Sequence, residues 1–378
     1  MFLLPFAALA MASCSSSEDS LVQPQPELNT ELKIFPSVGA STRGTVETTA
    51  SLSSFQVIAS GKFATTATEP NPNVTTTGIK TVNKSGSNWA FADDYKLYWG
   101  DATTAGKFTA YANSAVSAAD GKLTGVNVEA AVGDQKDLLV AYNEGTKTDF
   151  VSGVPLHFRH AMSQIVVKAS YTYDASLTNY GDRVIKVKGI KFFNLNNTGT
   201  LTLPTASTAA GETYEPAWSA HAGAAEFEVP LTSPVTLGST ATSIDLSEAA
   251  NPLLLLPQTT AATTDLKATT VTGAYLAVSV DINNADGSDY YPTTGTYAWV
   301  AVPVSIEWKG GSKYIYTLNF TNGAFGRIAP GTDDDGDDKV TPGEKKVGDA
   351  LPDELLTPVN FLVTVEDEWT EYPLTPSF

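Results

Sequence analysis

The chain has 378 residues, 42% of them hydrophobic and 10% aromatic but only 17% charged, with a formal net charge of −18. That length supports two cores, since domains run to about 150 residues and single cores stop growing well below it. The negative charge excludes nucleic acid and disfavours other polyanions, and the single cysteine leaves no intramolecular disulfide, so packing and backbone pairing must carry stability.

The chain opens on an apolar run, Met1 to Ala10, too short to span a bilayer, followed by Met11-Ala12-Ser13-Cys14. Small residues before a cysteine, directly behind a short apolar leader, form the pattern of a lipoprotein signal. Residues 1–13 are therefore expected to be a removed signal peptide, with lipid on Cys14. No Lys or Arg precedes the run, so the true start codon is expected upstream. Residues 14–43 then read as a polar, Pro-containing tether and a short strand. In that strand Leu32 and Ile34 alternate, and Phe35 adds a third apolar side chain. Pro36 is expected to break it, and the small-residue loop from Val38 to Gly44 to leave Arg43 exposed and mobile.

From residue 44 the pattern has period 2 almost throughout. Phe55/Val57, Leu97/Trp99 and Phe108/Ala110 alternate with polar neighbours between Gly, Asn, Asp and Pro turns. Further strands are expected at Leu138 to Tyr142, Ile165 to Ala169, Val187 to Phe193, Tyr275 to Ile282, Val300 to Trp308 and Tyr314 to Phe320. Abundant Thr and scarce helical periodicity imply an all-β fold of β-sandwiches with Greek-key connections. The boundary between an N-terminal domain, 44–155, and a C-terminal domain, 156–330, is expected near Pro155. Residues 331–358 read as an acidic linker: from Gly331 to Phe378 there are 13 acidic and 3 basic residues, a net of −10. Residues 359–378 end the chain with alternating apolar side chains, Val359, Phe361, Val363 and Val365, then Trp369, Tyr372, Leu374 and Phe378.

Catalytic patterns are missing, with no G-x-S-x-G, phosphate loop or H-E-x-x-H, and an enzyme is not expected. In a strand His157 and His160 point to opposite faces and cannot share an ion, and with His221 they read as structural histidines. Asp333, Asp335 and Asp337 suggest a calcium loop. With Gly336 at the sixth position, however, Gly331 and Pro342 fall where the first and twelfth carboxylates belong, so a solvated linker is the preferred reading. Trp89, Trp99, Trp218, Trp299, Trp308 and Trp369 are read as core packing rather than as a sugar platform. No cofactor is expected.

Several segments in order resemble the fimbrillin superfamily, the FimA- and Mfa-like subunits of type V pili of Bacteroidales. They are Tyr95-Lys96-Leu97-Tyr98-Trp99, Lys107-Phe108-Thr109-Ala110-Tyr111, Gln135 to Ala141, Leu156-His157-Phe158-Arg159-His160 to Ile165, Leu253 to Gln258, and Gly310 to Phe320. The acidic stretch after Cys14 resembles signals that send lipoproteins to the outer face of the outer membrane. The resemblance implies two transthyretin-like β-sandwich domains and a lipid-anchored precursor that ends in an extracellular fimbrium. It also implies cleavage by an arginine-specific or trypsin-like protease between Arg43 and Gly44, which releases the Leu32–Phe35 strand. Other pilin subunits are the implied partners, joined by donor-strand exchange, together with a host or bacterial surface ligand. Removing Leu32 to Phe35 would leave unpaired backbone beside an apolar slot, a template for a strand from another subunit. Residues 359–378 are the candidate donor, and whether all of them or only Glu368 to Phe378 are donated stays open. A stalk subunit is the favoured reading. A tip adhesin and a monomeric glycan-binding lipoprotein are the alternatives.

Overall fold

Alternation of apolar and polar residues, interrupted every few residues by glycine and asparagine turns, gives strands and little else. The computed structural model describes residues 29–39, 47–209, 212, 214–243, 253–292, 295–330, 349–351 and 360–366. Among them the fold is all-β, with one 3₁₀ turn at Val132–Asp134 and no α-helix. No helix there is long and apolar enough to cross a membrane.

The first sheet is centred on Ser54–Ala64, whose Phe55, Val57 and Ala59 turn into the core while Gln56 and Ile58 turn away. One edge pairs with Val74–Ser85, which folds back on Asn88–Phe91. The other edge continues through Gly106–Ala112 and Leu139–Gly145 to Val154–His160. Their inward residues form an aromatic core, with Phe55 edge-on to Phe158 at 5.2 Å and Trp99 edge-on to Phe108 at 5.9 Å.

The second half is built on a long parallel pair, Ser163–Thr172 with Lys313–Thr321, in register over nine residues from Gln164↔Lys313 to Thr172↔Thr321. Asn360–Glu366 extends this sheet at the Lys313–Thr321 edge. A second sheet, around Arg183–Leu195, Tyr275–Asn284 and Ala298–Pro303, shares its core. Phe192 crosses between them, edge-on to Trp308 and Tyr316 at 5.8 Å each. Trp308 Nε1 donates to Tyr316 Oη at 2.9 Å, and burial pushes the Tyr316 hydroxyl up to about 12.

The halves are tied by backbone. Lys122–Asn127 pairs with Thr198–Thr202, and fully buried Thr208 donates through Oγ1 to the His157 carbonyl (2.6 Å) and accepts from Tyr142 N (3.0 Å).

Two expected boundaries shift. Val154, Leu156 and Phe158 are all buried in the first core, so Val154–His160 completes the first sheet and the chain changes sheet between His160 and Ser163, beyond Pro155. The acidic stretch 331–358 also contains a strand. Ala350–Leu351 pairs with Gly326–Arg327, and Leu351 is fully buried because it fills the second core beside Phe325. Deleting the ring of Phe192 should cost about 3–5 kcal/mol; urea unfolding of Phe192→Ala checks this.

Candidate functional site

Residues 29–39 form an unusual element of the first sheet. Thr30–Glu31 pairs antiparallel with Tyr98–Trp99, and Leu32 N donates to the Leu97 carbonyl at 2.7 Å. The chain then crosses over, and Ile34–Val38 pairs in parallel with Val154 to Phe158. Tyr98–Trp99 and Val154–His160 are not neighbours in the strand order, so this single segment joins two separated strands of the sheet. Leu32, Ile34, Pro36 and Val38 face the core, and Leu32, Ile34 and Val38 are only 4–5% exposed. Burying each of these three contributes about 1.5–3 kcal/mol.

Two expectations about this strand are corrected. Pro36 does not end it, because the strand is an edge and a proline without an N–H is tolerated there; Val38 is thus a strand residue rather than the start of a loop. Phe35 is not part of the buried face, since period 2 turns it outward, 49% exposed. Its ring instead covers Gly153, whose φ of +124° and lack of a Cβ admit it: a Cβ there would clash with the ring.

Beside the segment is a cavity of about 450 Å³, lined by Leu32, Ile34, Val82, Trp89, Phe91 and Tyr95 among others. Burial raises the Tyr95 hydroxyl above its ordinary value, and Lys80 Nζ stands 4.2 Å from that ring's centroid.

A buried polar group holds the far end of the strand. His160 Nδ1 lies 2.8 Å from Asp137 Oδ2, and His160 Nε2 lies 3.3 Å from the Gly39 carbonyl. Both neighbours are acceptors, and which ring nitrogen donates depends on the tautomer. Asp137 Oδ2 also accepts from Glu47 N at 2.9 Å, and Asn113 Nδ2 donates to Glu47 Oε2 (2.9 Å) and to the Asp137 carbonyl (3.0 Å). Gly39 and Glu47 are the described residues on either side of 40–46, and both meet at this node. On the opposite face, His157 Nδ1 shares a 2.9 Å hydrogen bond with Ser37 Oγ. The two histidines thus hold different things, and His221 bonds the Pro257 carbonyl at 2.7 Å.

Arg43 and Gly44 themselves lie outside the described residues, as do Cys14, Val359, Trp369, Tyr372, Leu374, Phe378 and the candidate calcium ligands Asp333, Asp335 and Asp337. Among the described residues no group of three or more His, Cys, Asp or Glu could hold a metal ion. Arg159 serves packing: Nε donates to the Thr208 carbonyl (3.0 Å) and Nη2 to those of Ala209 and Glu212 (2.8 Å each). Arg183 lies over the Tyr290 ring at 4.4 Å. The backbone of Phe361, Val363 and Val365 pairs with Lys313–Thr321 of the same chain, and Val363 packs on the second core while Leu362 is 62% exposed. Trp99 and Trp308 are buried, and the half-buried Trp89, Trp218 and Trp299 sit in three different sheets, which gives no common platform.

Residues 42–336 match the family model described as Fimbrillin-like. The chain belongs to the fimbrillin-like family. No match was found among curated proteins. This fimbrillin-like chain is similar to a fimbrial protein from Bacteroides vulgatus, 16% identical over 78% of this chain and 95% of that one, with a TM-score of 0.47. It is also similar to a candidate cell adhesion protein from Parabacteroides distasonis, 13% identical over 89% and 95% of the two chains, TM-score 0.45. A fimbrial assembly protein from the same species is 12% identical over 78% and 92%, TM-score 0.32. At these values family membership rests on the sequence match.

Placing a charge in the closing segment should open this sheet without unfolding the other. Ile34→Asp is expected to speed amide hydrogen exchange at 34–38 and 154–158 at least tenfold, while 163–172 and 313–321 stay protected; exchange mass spectrometry reads both regions.

Proposed function

We propose that this chain is a structural, non-enzymatic stalk subunit of a cell-surface fimbrium that serves adhesion. It folds as two transthyretin-like domains, is exported with lipid on Cys14, cut between Arg43 and Gly44, and polymerised by donor-strand exchange between subunits. The observation that carries the reading is the closing segment: residues 29–38 bury Leu32, Ile34 and Val38 in the first core yet join the rest of the chain only through residues 40–46. Its loss would leave an apolar slot and unpaired edges, which a second strand would satisfy.

The donated part is the end of the chain. Asn360–Glu366 is hydrogen-bonded into its own sheet, which favours Glu368 to Phe378, with Trp369, Tyr372, Leu374 and Phe378, as the donated segment. Until cleavage the closing segment keeps the slot filled and the lipid keeps the subunit at the outer membrane. Afterwards residues 14–43 leave together, and the subunit is held by its neighbours.

Trypsin treatment of the unlipidated full chain should yield a ladder of denaturant-resistant oligomers. Arg43→Gln should yield none, and neither should a chain shortened after Glu366. A wild-type chain that releases residues up to Arg43 and stays monomeric would refute strand exchange.

A further inference from the structure

The closing segment has an echo at the other end of the chain. Thr30-Glu31-Leu32-Lys33-Ile34-Phe35-Pro36-Ser37-Val38 and Thr370-Glu371-Tyr372-Pro373-Leu374-Thr375-Pro376-Ser377-Phe378 are identical at Thr, Glu, Pro and Ser and apolar at the same three further positions. Each correspondence matches what the slot requires. The core-facing seats of Leu32, Ile34 and Val38 receive Tyr372, Leu374 and Phe378. The buried edge position of Pro36, where no N–H is needed, receives Pro376. Ser37, whose Oγ bonds His157 Nδ1 at 2.9 Å, becomes Ser377. Phe35, the outward residue, becomes polar Thr375, which suits its exposed seat. Lys33, which gives only its carbonyl to Val154 N (2.8 Å) among the backbone bonds outside the strand ladders, becomes Pro373, which keeps a carbonyl.

A slide by two residues would keep the inward face inward and the parallel ladder intact, so backbone pairing alone does not set the register. The serine does, because it needs His157, and a proline displaced to the Val38 seat would lose the bond that Val38 N donates to Thr49 Oγ1 (2.8 Å). We infer that Thr370–Phe378 of a second copy of this chain occupies the slot of Thr30–Val38 residue for residue, parallel to Val154–Phe158, with His157 reading Ser377 as the register mark. This rests on the strand-exchange reading above and specifies its occupant and alignment.

The test uses the full chain with Cys14→Ser. Phe35 pairs with Pro155 on the outward face, so the matched register brings Thr375 of one subunit opposite Pro155 of the next. After trypsin and mild oxidation, Pro155→Cys with Thr375→Cys should cross-link subunits, whereas Pro155→Cys with Pro373→Cys, one period out, should not. As a measure that needs no substitution in the protein, synthetic peptides 30–38 and 370–378 should each block laddering of the cut wild-type chain, and a 370–378 peptide with Ser377→Ala should do so roughly three- to tenfold more weakly. Ladders that form with equal cross-linking in both registers, or that ignore peptide 370–378, would overturn the alignment and leave strand exchange standing. Absence of ladders from the wild-type chain would remove strand exchange itself, and the alignment with it.

Discussion

One short segment is hydrogen-bonded to two separated strands of the first sheet. Thr30–Glu31 pairs with Tyr98–Trp99, and three residues later Ile34–Val38 pairs with Val154 to Phe158, so nine residues close edges that would otherwise present unpaired N–H and C=O groups. The segment is also the lid of the core, through Leu32, Ile34, Pro36 and Val38. The proposed function rests on this segment, because its side chains fill the first core while its backbone occupies the edge of Val154–His160.

The second half is closed differently. Its two sheets bury each other, with Phe192, Trp308 and Tyr316 in mutual contact, and its parallel pair joins residues about 150 positions apart in sequence. The Lys122–Asn127 and Thr198–Thr202 pairing, with Thr208 and Arg159, couples it to the first sheet. The second core also takes in Tyr111, Leu123, Val126, Leu138 and Val140 from the first half, so the two halves share packing as well as backbone pairing.

Much of this was legible in the sequence. Period-2 alternation located Phe55/Val57, Phe108/Ala110 and the Ile165, Tyr275 and Tyr314 strands, and the same period put His157 and His160 on opposite faces, as their separate partners Ser37 and Asp137 bear out. What was hidden depends on long-range placement. Pro36 reads as a breaker until the strand is known to be an edge, and only then does the alternation Leu32, Ile34, Pro36, Val38 stand out. Val154 to His160 looked like a second-domain strand because nothing local reveals which core Leu156 and Phe158 fill. The Asp137–His160–Gly39 contact joins three separate segments and has no spacing signature. Leu351 was obscured by its acidic surroundings. The match between Thr30–Val38 and Thr370–Phe378 was present in the sequence throughout, but its meaning depends on knowing which of those residues face inward.

The central claim is that the closing segment leaves the assembled subunit. Mass spectrometry of the N-termini of subunits recovered from cell-surface fibres tests it most directly. Subunits that begin at Gly44, with no peptide from residues 14–43, are the expected result; fibre subunits that begin at a lipidated Cys14 and retain Leu32 to Val38 would contradict it.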